Sequence, residues 1–142
     1  MKKILLLFVC VVSFYSCDKE EEPLDLFNEP IAHEFLLYSA TVNGEEITPD
    51  TCAQGTNLDL NFAGTGFYTI YDWDTENGCH ETGVASVSWR EISGGRYKII
   101  SGLPFLGEAI PVKEAYAVVK GEELTLTFNY KELDCTVVYR RN

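Results

Sequence analysis

Positive charge is scarce in this 142-residue chain: 11 lysines and arginines face 22 aspartates and glutamates, a formal net charge of −11. Nucleic-acid binding runs on cationic side chains that displace counterions, so the composition excludes a nucleic-acid partner. An acidic surface is equally unsuited to docking on anionic lipid headgroups. Histidine is nearly absent, with only His33 and His80. No apolar run reaches the roughly 20 residues that a membrane-spanning helix requires. No stretch carries a helical stripe of apolar residues. There is no nucleophile elbow, no glycine-rich phosphate loop and no metal-ligand helix. The expectation is a non-catalytic, all-β protein without a cofactor.

The N-terminus has a separate logic. Lys2 and Lys3 precede the apolar run Ile4 to Val12, and small or polar residues follow at Ser13 and Ser16. That is the three-part layout of a secretory signal. Ser16-Cys17 resembles the cleavage site of bacterial lipoproteins, in which the cysteine thiol is acylated and the signal is cut just before it. Tyr15 and Phe14 depart from the usual residues, as they do in Bacteroidetes-type lipoproteins. The resemblance implies a mature chain beginning at Cys17 and anchored in the membrane by palmitate-type acyl groups, the multiple-chain attachment that stable anchoring requires. Lys19, Glu20 and Glu21 resemble the acidic export signal that sends such lipoproteins to the outer leaflet of the outer membrane. The expected layout is a signal peptide over 1–16, a lipidated acidic tether over 17–31 and a barrel domain over 32–142. Loss of residues 1–16 removes two lysines and no acid, which deepens the net charge to −13.

About 110 residues then remain for one domain with one core. Three cysteines, Cys52, Cys79 and Cys135, stay with it in an oxidising compartment. Strict alternation marks its strands. In 56–62 Leu58, Leu60 and Phe62 share one face, and in 124–130 Leu124, Leu126, Phe128 and Tyr130 do. Further strands are expected over 35–42, 67–73, 84–92, 96–101, 115–120 and 135–140. Asn43-Gly44, Gly64-Thr65-Gly66, Ser93-Gly94-Gly95 and Gly121-Glu122-Glu123 separate them, and Asn43-Gly44 is a strong hairpin signal. Hairpin-length connections between about eight strands predict a single small antiparallel up-and-down β-barrel, with a two-sheet β-sandwich as the alternative.

The run from Phe35 to Val119 resembles the lipocalin-like domain of small bacterial lipoproteins. The matching features are Val42-Asn43-Gly44, Cys52, Asn61-Phe62 with Gly66, Cys79, and Gly83 with Trp89. The family implies an eight-stranded barrel and leaves the ligand open. Its usual Gly-x-Trp opening is replaced by His33-Glu34-Phe35, which gives Phe35 the task of filling the barrel floor.

Candidate sites follow from residue type and spacing. Cys52 precedes one strand of a presumed hairpin and Cys79 follows the other, so both fall at one end of it, within reach of a disulfide; Cys79–Cys135 is the rival pairing. Asp72, Asp74 and Glu76 alternate like the first ligands of a calcium loop. However, Asn77 and Gly83 occupy the positions where such a loop needs Gly and Glu, and a hairpin turn around Asn77-Gly78 explains the residues better. Cys79-His80 lacks a partner pair for zinc. Tyr71, Trp73, Trp89 and Tyr97 are the candidate lining of a cavity, because rings with a polar handle suit ligands. The apolar segment Leu103 to Pro111 could lid a barrel mouth, meet a partner or tuck over the core. The expected function is an outer-membrane-anchored, cell-surface lipoprotein whose barrel binds a small apolar molecule. The alternatives are an accessory protein-interaction module of an envelope complex and a hydrolase inhibitor.

Overall fold

The computed structural model describes residues 29–105 and 114–142. Cys17, Lys19, Glu20, Glu21 and most of the 103–111 segment therefore lie outside the described residues. The elements are β1 (Glu34–Val42), β2 (Glu45–Ile47), a 3-10 turn at Ala53–Gly55, β3 (Asn57–Leu60), β4 (Thr65–Asp74), β5 (Gly78–Ser93), β6 (Arg96–Ser101), β7 (Glu114–Lys120), β8 (Glu123–Tyr130) and β9 (Leu133–Arg141). All pairs are antiparallel. From β3 to β9 each strand pairs with the next in sequence, and β1 pairs with both β3 and β9. That last contact, from Phe35↔Arg141 to Val42↔Cys135, closes the ring. The molecule is a closed eight-stranded barrel, with β2 added as a short flap on β1. Closure removes the open edges that a sandwich would keep.

Alternation drives the fold as expected. Leu124, Leu126 and Phe128 on β8 point inward and are buried, as are Cys135, Val137 and Tyr139 on β9. Each fully buried leucine contributes about 1.5–3 kcal/mol relative to an exposed one. Asn43 (φ 49°) and Gly44 (φ 82°) form a two-residue turn with both residues left-handed, which suits the twist of the β1–β2 hairpin. Lys131 (φ 46°) and Glu132 (φ 69°) do the same between β8 and β9, without a glycine.

Phe62 departs from the expected pattern. It is 48% exposed rather than inward. β3 ends at Leu60, and the Asn61 side chain then accepts the Ala63 and Thr65 amides at 3.0 and 3.3 Å, which turns the chain before the alternation reaches Phe62. The glycine of that motif has a steric reason. A Cβ at Gly66 would lie 2.0 Å from the Asp59 carbonyl oxygen.

One end of the barrel is shut by the chain that leads into β1. Ile31 and Phe35 are fully buried. Arg141 donates to the Pro30 carbonyl at 3.2 Å, and its guanidinium lies 6.0 Å from the Phe35 ring centroid. The Tyr97 hydroxyl donates to Glu29, and the Leu60 amide donates to the His33 carbonyl at 3.0 Å. His33 is not among the residues of positive φ, so glycine's freedom is not needed there. Phe35 fills the floor.

Candidate functional site at the open end of the barrel

The opposite end carries the site. After β6 the chain leaves the wall and turns inward, and Phe105 is buried completely inside the barrel. Its ring lies 5.7 Å from that of Tyr68 and 5.9 Å from that of Phe128. Its carbonyl oxygen accepts the Tyr68 hydroxyl at 2.7 Å and the Tyr139 hydroxyl at 3.4 Å. A buried backbone carbonyl must find a donor, and two inward tyrosines supply it. Burial pushes the Tyr68 phenol up to about 12 and raises that of Tyr139 well above its ordinary value. Both hydroxyls therefore stay protonated donors. Phe105 is a stopper, and the barrel below it is filled.

Among the described residues a cavity of about 210 Å³ lies above the stopper. Its walls are apolar: Leu37 and Ala40 from β1, Ile47 from β2, Pro49 and Ala53 from the crossover, Ile70 from β4, and Phe105 beneath. Tyr68, Tyr71, Thr56 and Asp72 supply the polar atoms. The volume exceeds the roughly 150 Å³ of a dry engineered cavity that takes up benzene. It falls below the roughly 300–1,000 Å³ of pockets for drug-sized ligands. The space suits one ring or a short chain.

One wall of this cavity stands on a disulfide. The hairpin of β4 and β5 outgrows its neighbours, because β3 pairs with β4 only as far as Thr69. The crossover 48–56 braces the projecting part. Cys52 and Cys79 are joined there, with Cα atoms 5.4 Å apart. The expected pairing is the one present, and Cys135 is free and buried in the core. The Tyr71 amide donates to Thr56 Oγ1 at 3.1 Å, and the Tyr71 ring packs against Gly55. Asp50 accepts the Ala53 amide at 2.8 Å, which fixes the start of the 3-10 turn.

Of the four rings singled out from the sequence, only Tyr71 lines the cavity. Trp73 is 62% exposed on the outside, on the face that also carries Phe67. Trp89 and Tyr97 lie near the closed floor. The Trp89 indole donates to the Asn61 carbonyl at 3.0 Å and meets Tyr97 edge-on at 5.7 Å. By alternation Tyr71 shares the outward side of β4 with Phe67, Thr69 and Trp73, opposite Tyr68, Ile70 and Asp72; the crossover 48–56 packs on Tyr71 and leaves Trp73 exposed. Phe105 belongs to the apolar segment Leu103 to Pro111, though the sequence does not single it out within that segment, and Asp72, read from the sequence against a calcium loop, lines the cavity instead.

Asp74, read above against a calcium loop, organises the hairpin tip instead. Its carboxylate accepts the Glu76 and Asn77 amides at 2.8 and 2.6 Å and the Asn77 side chain at 3.0 Å. Those Asn77 bonds hold its pKa below the ordinary value. His80 Nε2 lies 3.4 Å from it. Among the described residues no group of three His, Cys, Asp or Glu side chains is placed to hold a metal ion.

Compared with known proteins, the chain matches no family model, no curated protein and no solved structure.

Proposed function

We propose that this chain is a lipid-anchored envelope lipoprotein of the lipocalin-like kind, whose barrel mouth binds one small, largely apolar molecule. The apolar cavity of about 210 Å³ above Phe105 carries the reading. Fold alone does not give function. The support comes from a concave apolar surface with a few convergent polar groups, which is the usual make-up of a ligand site. The anchor rests on the Ser16-Cys17 motif and the acidic run behind it. Native mass spectrometry of the lipoprotein, released from its own envelope in mild detergent, tests the binding function. A small mass that leaves on denaturation supports it, and a clean apo mass counts against it. Metabolic labelling with an alkyne palmitate tests the anchor: Cys17→Ser should abolish both label and membrane recovery.

A second reading has its own observation. Phe67, Val84 and Ile100 are 54%, 50% and 45% exposed on the outer wall of β4, β5 and β6, where only Ser86 and Ser88 separate them. An exposed apolar patch of this kind marks a protein contact and supports an accessory role in an envelope complex.

A further inference from the structure

Among the described residues Asp72 is the only charged side chain in the cavity lining. One carboxylate oxygen accepts the Trp73 amide at 2.7 Å; the other has no hydrogen-bond partner among the described residues. Two of the remaining polar groups of the lining are already engaged, and the Tyr71 hydroxyl has no hydrogen-bond partner among the described residues. The Tyr68 hydroxyl is spent on Phe105, and Thr56 Oγ1 on the Tyr71 amide. The unspent polar groups of the cavity are thus the Tyr71 hydroxyl and the solvent-exposed Asp72 carboxylate, and of the two only Asp72 carries charge; the Tyr71 ring beside it can itself hold a cation over its face.

The surroundings carry the same sign. Glu45 and Glu46 on β2, Asp50 on the crossover, Asp74 and Glu76 at the hairpin tip and Glu132 in the β8–β9 turn all lie at this end of the barrel. Among the described residues Lys131 is the only lysine or arginine in the turns at this end, and its ammonium sits 5.2 Å from the Tyr130 ring. The other described cations, including Arg96, Lys120, Arg140 and Arg141, lie toward the closed floor or along the wall. A mouth of one sign concentrates counter-ions and speeds their capture. An anionic ligand would meet a repelling rim and an unpaired Asp72.

We infer that the ligand class is an amphipathic cation: a single ring or short aliphatic body carrying a protonated amine. The body lies on Leu37, Ile47, Ile70 and Phe105, and the ammonium meets Asp72. This rests on the binding function proposed above and adds the charge of the ligand to it.

The test uses 2-phenylethylamine and its neutral isostere 2-phenylethanol, titrated calorimetrically into the chain carrying Cys17→Ser, so that no acyl group offers a competing apolar phase. At neutral pH and low salt the amine should bind about fivefold more tightly than the alcohol, the upper range for an exposed ion pair. Asp72→Asn keeps an acceptor for the Trp73 amide and should bring the two within twofold. Equal binding of both probes by the parent chain overturns the cation assignment and leaves the cavity's function standing. A preference that survives Asp72→Asn also overturns it, since the general acidity of the mouth would then be the cause. Binding of neither probe overturns the proposed function and this inference together.

Discussion

The Tyr68 hydroxyl donates to the Phe105 carbonyl oxygen across 2.7 Å inside the barrel. β4 delivers the tyrosine from the wall, and the segment after β6 delivers the carbonyl from the lumen. The contact divides the barrel into a filled lower part and an open mouth. Phe105→Ala should cost about 3–5 kcal/mol, the usual range for deleting a buried aromatic ring, and should deepen the cavity. Tyr68→Phe should cost about 1–1.5 kcal/mol, since the carbonyl keeps Tyr139 at 3.4 Å. Chemical denaturation of both variants checks the order. Equal stabilities for Phe105→Ala and the parent would remove the stopper from the account.

Alkali should unfold the barrel. Unfolded tyrosine ionises near pH 10. Burial holds the Tyr68 pKa up at about 12 and that of Tyr139 well above the ordinary value. A raised folded-state pKa gives stability that is whole below the unfolded value. Above about pH 10 the unfolded chain sheds protons that the folded chain keeps, so stability falls by up to about 1.4 kcal/mol per pH unit for each phenol. Denaturation midpoints measured from pH 8 to 12 should be flat and then drop, and Tyr139→Phe should make the drop shallower.

The disulfide should matter to the mouth as well as to stability. The Cys52–Cys79 bridge spans 27 positions, and its loss should cost about 3–4 kcal/mol on the chain-entropy account. It also ties down the crossover that brings Pro49, Ala53 and Thr56 to the cavity. The double variant Cys52→Ala/Cys79→Ala, studied where it remains folded, should therefore bind small apolar probes more weakly than the parent. Hydrogen exchange should rise first in 48–56 and 71–81. Unchanged exchange there would show that the crossover stands without its bridge.

A stabilising change is available at the far hairpin. Lys131 and Glu132 both hold left-handed backbone at φ 46° and 69°, a conformation that costs an ordinary L-residue about 1–2 kcal/mol. Lys131→Asn with Glu132→Gly supplies the residues this turn prefers. The pair should raise stability by about 1 kcal/mol, read as a higher denaturation midpoint at an unchanged slope. A lower midpoint would mean that the lysine's contact with the Tyr130 ring outweighs the strain.

Strands were legible because their inward residues recur every second position, and that signal is local. Leu58, Leu60, Leu124 and Leu126 sit where alternation puts them. Phe62 broke the rule because its strand ends two residues earlier, at an asparagine turn that competes with the ladder. The disulfide was legible because two cysteines flanked one hairpin. The cavity was not. Tyr71 and Trp73 share one face of β4, and only the crossover, outside the local pattern, covers Tyr71 at Gly55 and Thr56 while Trp73 stands exposed. The stopper was legible only as an apolar segment, Leu103 to Pro111: Phe105 within it is placed by contacts with Tyr68, Phe128 and Tyr139, all distant in sequence, and no periodicity surrounds it.

Native mass spectrometry of the protein isolated from its native source tests most directly whether the mouth above Phe105 holds a small molecule. The account predicts one bound species per chain, small enough for a cavity of about 210 Å³ and lost on denaturation, with Phe105 and Tyr71 shielded while it is bound. An apo mass under conditions that keep the Cys52–Cys79 bridge intact would contradict the claim and turn attention to the outer wall around Phe67, Val84 and Ile100.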